Sequence, residues 1–343
     1  MISNSNYSLS MRSFRSVEAD WKKMETPSMS PFLYYDYLAY VEHFTRYFSF
    51  YRPRVACMSD NNGCPLMLVP LKGSLNLGYY KMLGDIRGCD STDALYKPEL
   101  SAEERAAVTK AFYSSFKSKA KLHRLQEESF LMSEAPAERL LSLQTKTYVR
   151  IAVNKDWNEH FGKLHRNVRQ SMRTAYNRMK RDGKEFKLEI FDADRPIDRI
   201  MWKKIMTLYF ERMFTHYKQN KIRSLFGRIF WHFDYFHIKH DTLSLHHLAN
   251  SFHAVLMEKE RPVAFLSGMM THDGHTITVP RLAIDDNYRF YSPGYVLLAE
   301  TLKYLGANTE VHELDLSRGE EKYKLDLGGT PYKTTDILLS KSL

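Results

Sequence analysis

The sequence predicts an α+β protein, a mixed α/β sheet with mostly antiparallel pairing, and three observations carry that expectation. Strand-like runs arrive in hairpin-connected groups, as at 252–259, 262–271 and 275–284, which disfavours the strict alternation of a doubly wound parallel sheet. Stretches with apolar residues at spacings of three and four separate those groups and read as helices. The 343 residues, 43% of them hydrophobic and 26% charged, hold material for two domains or one large one at roughly 100–200 residues each. The expected boundary lies between Leu143 and Tyr148, giving domains 1–146 and 147–343, the first with fewer strong elements.

From the N-terminus, aromatics at helical spacing behind Ser30-Pro31 predict a short helix over 31–51. Arg54–Ser59 and Pro65–Lys72 flank Asn62-Gly63, a dipeptide suited to positive φ, and so predict a hairpin. Tyr79–Leu83 reads as a strand, GDIRGCDSTD as a solvated turn, and Ser101–Lys121 as a helix opened by the capping-box pair Ser101 and Glu104. A strand over 122–131, a short helix over 136–143 and a strand over 148–153 follow. The second half predicts helices at 156–182, 197–217 and 221–236, strand 186–191, the three β runs above, helix 293–305, strand 310–316, a helical segment after Ser317 and strand 335–340.

Cys57, Cys64 and Cys89 form neither an even set nor a CxxC pair, so reduced thiols are expected. MISNSNYSLSMRSFRS lacks the apolar core of a signal peptide, and no apolar run approaches the roughly 18 residues of a membrane helix. A cytoplasmic location without membrane insertion is the expectation.

The net charge is +10, and its distribution is uneven. Residues 163–187 contain nine Lys or Arg against two acids, as do residues 195–228. These two segments carry +14, which leaves −4 elsewhere. In the first, Leu164, Val168, Met172, Ala175 and Met179 form an apolar stripe, while Arg166, Arg169, Arg173 and Lys180 share a separate arc on which an anion would lie. The second mixes cations with Tyr209, Phe210, Phe214, Tyr217, Phe226, Phe230 and Trp231; helical spacing favours the core over base stacking for these rings.

No metal is expected. Asp85, Asp90 and Asp93 lack the spacing and closing Glu of a calcium loop, and His232, His237, His240, His246 and His247 lack a zinc-site pattern. There is also no GxSxG elbow, Walker loop or GxGxxG.

The informative stretch is Leu282–Leu302, where a strand runs into Arg289-Phe290-Tyr291-Ser292-Pro293-Gly294 and a helix starts at once with Tyr295. Unpaired N–H groups and the dipole at a helix start make a seat for phosphate. Ser292 is suited to cap that helix, Pro293 to its first turn and Gly294 to close approach of a ligand.

This hexapeptide resembles the (Gln/Arg)-x-x-Gly-x-(Gly/Ala) loop of GNAT acyltransferases, with Ser292 in place of the first Gly. His165–Arg173, the Tyr291–Gly294 turn and Leu314-Asp315-Leu316-Ser317-Arg318-Gly319-Glu320-Glu321-Lys322-Tyr323-Lys324 are together similar to the CelD-like acetyltransferase family, a fold relative of the Fem peptidoglycan aminoacyltransferases. Leu316 and Glu320 replace Phe and Asp of its D-F-x-R-G-D-E-x-Y-K signature. The likeness covers roughly residues 148–330. It implies tandem GNAT-like lobes, the C-terminal one more complete, and a pyrophosphate seat of acetyl- or acyl-coenzyme A at Arg289, Tyr291, Ser292, Pro293, Gly294 and Tyr295. It also implies a catalytic set of Asp315 as base or acceptor anchor, Tyr323 as acid to coenzyme A, and Arg318 and Lys324 stabilising charge or pairing with neighbouring carboxylates. Arg166, Arg169 and Arg173 would hold an anionic acceptor.

Three functions follow as expectations. The first is acyl transfer to an amine or hydroxyl of a sugar, polysaccharide precursor or other small acceptor. The second is a Fem-like aminoacyltransferase using aminoacyl-tRNA, and the third a non-catalytic binding protein on the same fold.

Overall fold

A computed structural model describes residues 7–76, 78–86, 88–220 and 248–342. The chain forms two units, Met1–Thr147 with Lys333–Leu343, and Tyr148–Tyr332. The last eleven residues, expected in the second domain, thus belong to the first. The helix expected at 221–236 and the five histidines from His232 to His247 lie outside the described residues, as do the side chains of Phe214, Tyr217, Phe226, Phe230 and Trp231.

Unit 1 contains β1 (Ser8–Arg12), α1 (Glu18–Met24), α2 (Tyr35–Phe48), β2 (Tyr51–Ser59), β3 (Pro65–Ser74), β4 (Tyr79–Met82), β5 (Leu95–Tyr96), α3 (Ala102–Ser115), β6 (Lys119–Gln126) and α4 (Phe130–Ser133). Strand β7 (Leu140–Ala152) leads into unit 2, with α5 (Trp157–Lys163), α6 (Arg166–Arg181), β8 (Phe186–Phe191), α7 (Arg199–Asn220), β9 (Ser251–Glu258), β10 (Arg261–Met270), β11 (Thr276–Ile284), α8 (Pro293–Asn308), β12 (Glu313–Arg318) and α9 (Lys322–Asp326). Strand β13 (Thr330–Leu339) returns the chain to unit 1. Strand order is β1-β2-β3-β4-β6-β13 in unit 1, with β5 on β3, and β7-β12-β11-β10-β9-β8 in unit 2.

Most of this was expected. The β2/β3 hairpin turns at Gly63 with φ +78°, and the capping box of α3 is made by both Ser101 and Glu104, an arrangement that contributes about 1 kcal/mol. Cys57 is buried inside that hairpin and Cys64 exposed beside it; these and the buried Cys89 are free thiols.

Four local expectations are corrected. Helix α3 ends at Ser115, because alternation from Lys119 to Leu122, with Ala120 and Leu122 buried, makes that segment strand β6. The helix over 136–143 shrinks to one 3-10 turn, Ala137–Arg139, followed at once by β7. Here tertiary contacts override local preference: Arg139 is buried and donates to the carbonyls of Tyr113, Phe116, Ser118 and Ser340. The helix over 156–182 breaks at Leu164 and restarts with His165 Nδ1 accepting from the Asn167 N–H at 3.2 Å. Finally, GDIRGCDSTD is no solvated turn, since Cys89, Ser91 and Thr92 are buried.

Each unit has one parallel strand pair bridged by a helix. In unit 1, Tyr79–Lys81 pair with Lys119–Lys121 and α3 makes the crossover. In unit 2, Thr276–Thr278 pair with Glu313–Asp315 and α8 does so. Each second strand then bulges against its antiparallel neighbour at a left-handed residue, Arg124 (φ 55°) in β6 and Ser317 (φ 59°) in β12. The two lobes share one plan; among the described residues unit 1 builds seven strands and four helices on it, and unit 2 six strands and five helices. The mixed sheet is largely antiparallel, as expected.

The unit 2 core lies between the sheet and α6 with α8. Leu164, Val168, Met172, Ala175 and Met179 form the predicted stripe and meet Leu298, Leu302, Leu314 and Leu316. Gly268, in a β10 bulge, is required by packing, because an added Cβ would fall onto the Thr278 carbonyl.

Unit 1 contains an ionic cluster where β4 and β6 part. His123 Nε2 lies 3.1 Å from Asp85 and its Nδ1 3.4 Å from Asp336, which Lys146 also contacts. Burial opposes ionisation of both aspartates, but the hydrogen bonds and charge of His123 with nearby lysines outweigh it, and both carboxyls sit well below the usual range.

Two outcomes follow. Depressed carboxyl pKa values add stability that is complete above the unfolded value near 4 and is lost as pH falls through the folded values. The melting temperature should therefore drop steeply below about pH 4, and Asp336→Asn should flatten that drop. Gly268→Ala should destabilise by about 1–3 kcal/mol, measured by denaturant unfolding.

Candidate active site

The site is built where β11 and β12 separate. They pair only through Asp315, after which β11 runs to Ile284 against β10 and β12 bends to Arg318 against β7. Two bulges help them diverge, one near Gly268 in the β10/β11 ladder and one at Ser317. A gap between parted parallel strands exposes backbone on both sides, so a ligand inserted there meets polar groups already directed inward.

The segment leaving β11 forms a 3-10 turn, Asp286–Tyr291, capped by Asp285, then a left-handed Ser292 (φ 50°, ψ 52°) and α8. Ser292 does not cap through its side chain as expected; instead its carbonyl accepts from the Tyr295 and Val296 N–H groups. Pro293 is buried at the first position. An added Cβ at Gly294 would meet only Ile284 at an ordinary 3.5 Å, so packing does not demand glycine there.

The other loop residues point in different directions. Arg289 is exposed. Tyr291 donates to Asp182 at 3.0 Å, and Tyr295 donates to Asp326 at 2.6 Å, tying α8 to α9. That bond and burial push the Tyr295 hydroxyl well above its usual range.

Arg166 and Arg173 are exposed on α6 and Arg169 half-exposed, with Arg173 over the Phe161 ring at 5.9 Å. They do not adjoin the loop. Arg178 does: it donates to the Phe290 carbonyl at 2.9 Å and lies 4.3 Å from the exposed Phe290 ring. At roughly 1.5 Å per residue, Arg166 starts about 18 Å further along the helix. Sequence periodicity placed Arg178 off the chosen arc, although the same helical count could have found it.

Asp315 is buried at the fork. Its Oδ1 accepts from the Ser317 N–H at 2.8 Å and its Oδ2 from the Tyr332 hydroxyl at 2.5 Å. Tyr332 lies beyond the signature stretch and was not singled out by it. Two residues upstream on the same strand face, Glu313 is half-buried with its carboxyl raised, mainly by burial, despite Arg150 at 3.5 Å.

Lys324 is 4% exposed and turned inward. Its ammonium donates to the carbonyls of Leu316, Arg318 and Gly319 at 2.9–3.1 Å and pairs with Glu321 at 2.9 Å. It thereby fixes the turn that follows Ser317, whose next bend needs Gly319 at φ +108°. Arg318 and Glu320 are exposed at that turn.

Tyr323 is half-buried on α9, with its ring 6.4 Å from that of Tyr295. Burial, aided by the Glu321 charge, pushes its hydroxyl up to about 12. The proton is thus retained throughout the neutral range. A groove of about 320 Å³ at the far end of β11 is lined by Lys204, Glu211, Arg261 and Asp285, among others, and offers both signs of charge. Among the described residues no group of His, Cys, Asp or Glu is arranged to hold a metal.

Removing the Lys324 cation would strand several buried carbonyls. Lys324→Met should therefore cost about 2–4 kcal/mol by denaturant unfolding, whereas Arg318→Met should fall within about 0.5 kcal/mol of wild type.

Comparison with known proteins bears on this geometry. No curated protein matches the chain significantly. FemX superposes with a TM-score of 0.57 at 11% identity, over 96% of this chain and 96% of that one. A conserved protein of unknown function from Bacteroides thetaiotaomicron gives 0.55 at 14%, over 94% and 97%, and L-PGS from Bacillus licheniformis 0.51 at 11%, over 89% and 87%. At these identities the likeness concerns the fold. Residues 166–325 match the acetyltransferase (GNAT) domain family, and the fork, the α8 loop and the Asp315–Tyr323 segment all lie within the matched stretch.

Proposed function

We propose that unit 2 transfers an acyl group from acyl-coenzyme A, with acetyl-coenzyme A the simplest donor, to an amine or hydroxyl of a sugar, polysaccharide precursor or other small polar acceptor. The observation that carries this reading is the fork between β11 and β12, with the start of α8 beside it. With unit boundaries at 147/148 and 332/333, every residue given a role below lies in that unit. The acceptor class rests on the resemblance to the CelD-like family and on the mixed charges of the groove beside β11.

The residues present fit such a donor. Gly294 presents its N–H at the positive end of α8, where a pyrophosphate is favoured, and Arg289 adds an exposed cation on the preceding turn. Tyr291, Ser292 and Pro293 shape that turn, and Tyr295 locks α8 to α9. Arg166, Arg169 and Arg173 form an anion-holding surface for the acceptor.

In the transfer, the acceptor's lone pair attacks the thioester carbon, its proton passes to a carboxylate, and the C–S bond breaks as the thiolate takes a proton. Asp315 anchors the acceptor or receives its proton, with Tyr332 and the Ser317 N–H fixing the carboxylate. Tyr323 supplies the proton to sulfur, Arg318 faces developing charge, and Lys324 holds the turn that sets their spacing.

A second reading has a specific observation behind it. Likeness to FemX, together with the exposed cations of α6, supports an aminoacyl-tRNA donor at the same fork. Thermal shift separates the two. Acetyl-coenzyme A at about 100 times its dissociation constant should stabilise the protein by about 2.7 kcal/mol; tRNA affinity falling steeply with salt, without that stabilisation, would favour the second. A protein that responds to neither ligand is a binding module on the same fold.

Turnover tests the assigned roles. Asp315→Ala and Tyr323→Phe should each lower kcat by about 10²–10⁴ while remaining folded. Because the Tyr323 hydroxyl is raised to about 12, it stays protonated as pH rises from about 7 to 10. The Tyr323→Phe deficit should accordingly be constant over that range.

A further inference from the structure

We infer that unit 1 docks on an anionic bilayer surface through one end of its sheet. The inference concerns unit 1 alone and stands whether or not the acyl-transfer reading holds. Three segments meet at that end. Tyr51 of β2 pairs with Ser74 of β3, Gly73 with Tyr80 of β4, and Tyr79 with Lys119 of β6. The start of β2, the end of β3, the start of β4 and the start of β6 are therefore neighbours, and α2 ends three residues before β2.

Large apolar side chains project from this end into solvent. Phe50 is 83% exposed, Tyr47 63% and Leu75 60%. Their exposure is organised by the backbone around them. Ser49 Oγ donates to the Thr45 carbonyl and accepts from the Tyr51 N–H, presenting Phe50 at the corner. Asn76 Oδ1 accepts from Ser74 Oγ and the Gly78 N–H, presenting Leu75. Phe50 and Leu75 each adjoin a residue of the last β2/β3 pair, Tyr51 and Ser74.

The charge around them is mainly positive. Segments 46–54, 71–82 and 114–121 contain eight Lys or Arg and no Asp or Glu. Arg46 is held by Glu42, Lys81 pairs with the Asp85 carboxylate at 3.5 Å, and Lys72 turns inward to the Asp85 carbonyl. Arg52, Lys117 and Lys119 are exposed. Lys81 and Lys119 also lie 5.9 and 5.8 Å from the Tyr79 ring, so cations and aromatic faces alternate across the rim.

Apolar tips inside a cationic rim match an anionic membrane interface, where the tips enter the acyl boundary and the rim meets phosphate headgroups. A nucleic acid would use the cations and rings but gain little from Leu75, which has no face for base stacking. No helix among the described residues is long and apolar enough to cross a membrane.

The test is co-sedimentation of the full chain with vesicles of phosphatidylcholine alone or with about 30% phosphatidylglycerol. Binding is expected to the anionic vesicles only and to weaken as salt rises from about 0.1 to 0.5 M. F50S/L75S should weaken it about tenfold or more, and K117E/K119E by a similar factor, with unchanged melting temperatures. The positions are solvent-exposed, so both variants should fold. Failure to sediment with anionic vesicles, equal binding to neutral ones, or binding that both variants retain would overturn the inference. So would a surface that binds bulk tRNA in a K117E/K119E-sensitive manner while ignoring vesicles.

Discussion

The separation of two parallel strands after three residue pairs is the constraint on which unit 2 is organised. Parallel strands normally continue to pair for as long as both remain extended, so the divergence must be imposed. Ser317 imposes it on one side by taking a left-handed conformation in β12, and the bulge at Gly268 does so on the other by shifting the β10/β11 register. Asp315 sits at the last paired position, and its carboxylate folds forward onto the Ser317 N–H. The backbone irregularity and the candidate chemistry are therefore one feature. Lys324 completes it by gathering the carbonyls that the turn leaves directed inward.

Much of this was legible in the sequence. Residues 186–191 and the three β runs of the second half were read to within a residue, because β-branched and aromatic residues there are bounded by clear turns such as Asp273-Gly274. The apolar stripe of α6 emerged from spacing alone. The errors have a common cause. At 116–121 and 136–143, residues with acceptable helix propensity are drawn into strands or a turn by distant partners, among them the Ser340 carbonyl that holds Arg139. Local preference is too weak to reveal such partners.

The site was only partly legible for a related reason. The α8 loop and the Asp315–Lys324 stretch are contiguous, so pattern exposed them. Tyr332 is seventeen residues from the carboxylate it meets, and nothing in its neighbourhood marks it. Spacing also could not say which way a side chain turns: Lys324, grouped with Arg318 by sequence, faces the interior while Arg318 faces solvent.

The return of Lys333–Leu343 to unit 1 has a consequence for the order in which the chain is completed. Unit 2 is a single uninterrupted stretch, Tyr148–Tyr332, whereas unit 1 is assembled from segments on either side of it. During N-to-C synthesis β6 must wait for its β13 partner until all of unit 2 has been made. Its β6 edge stays unpaired for that interval, and Asp336, which helps hold His123, arrives only after unit 2 is complete. Closing so long a loop is slow and entropically costly, so the later-encoded unit is the one free to fold first.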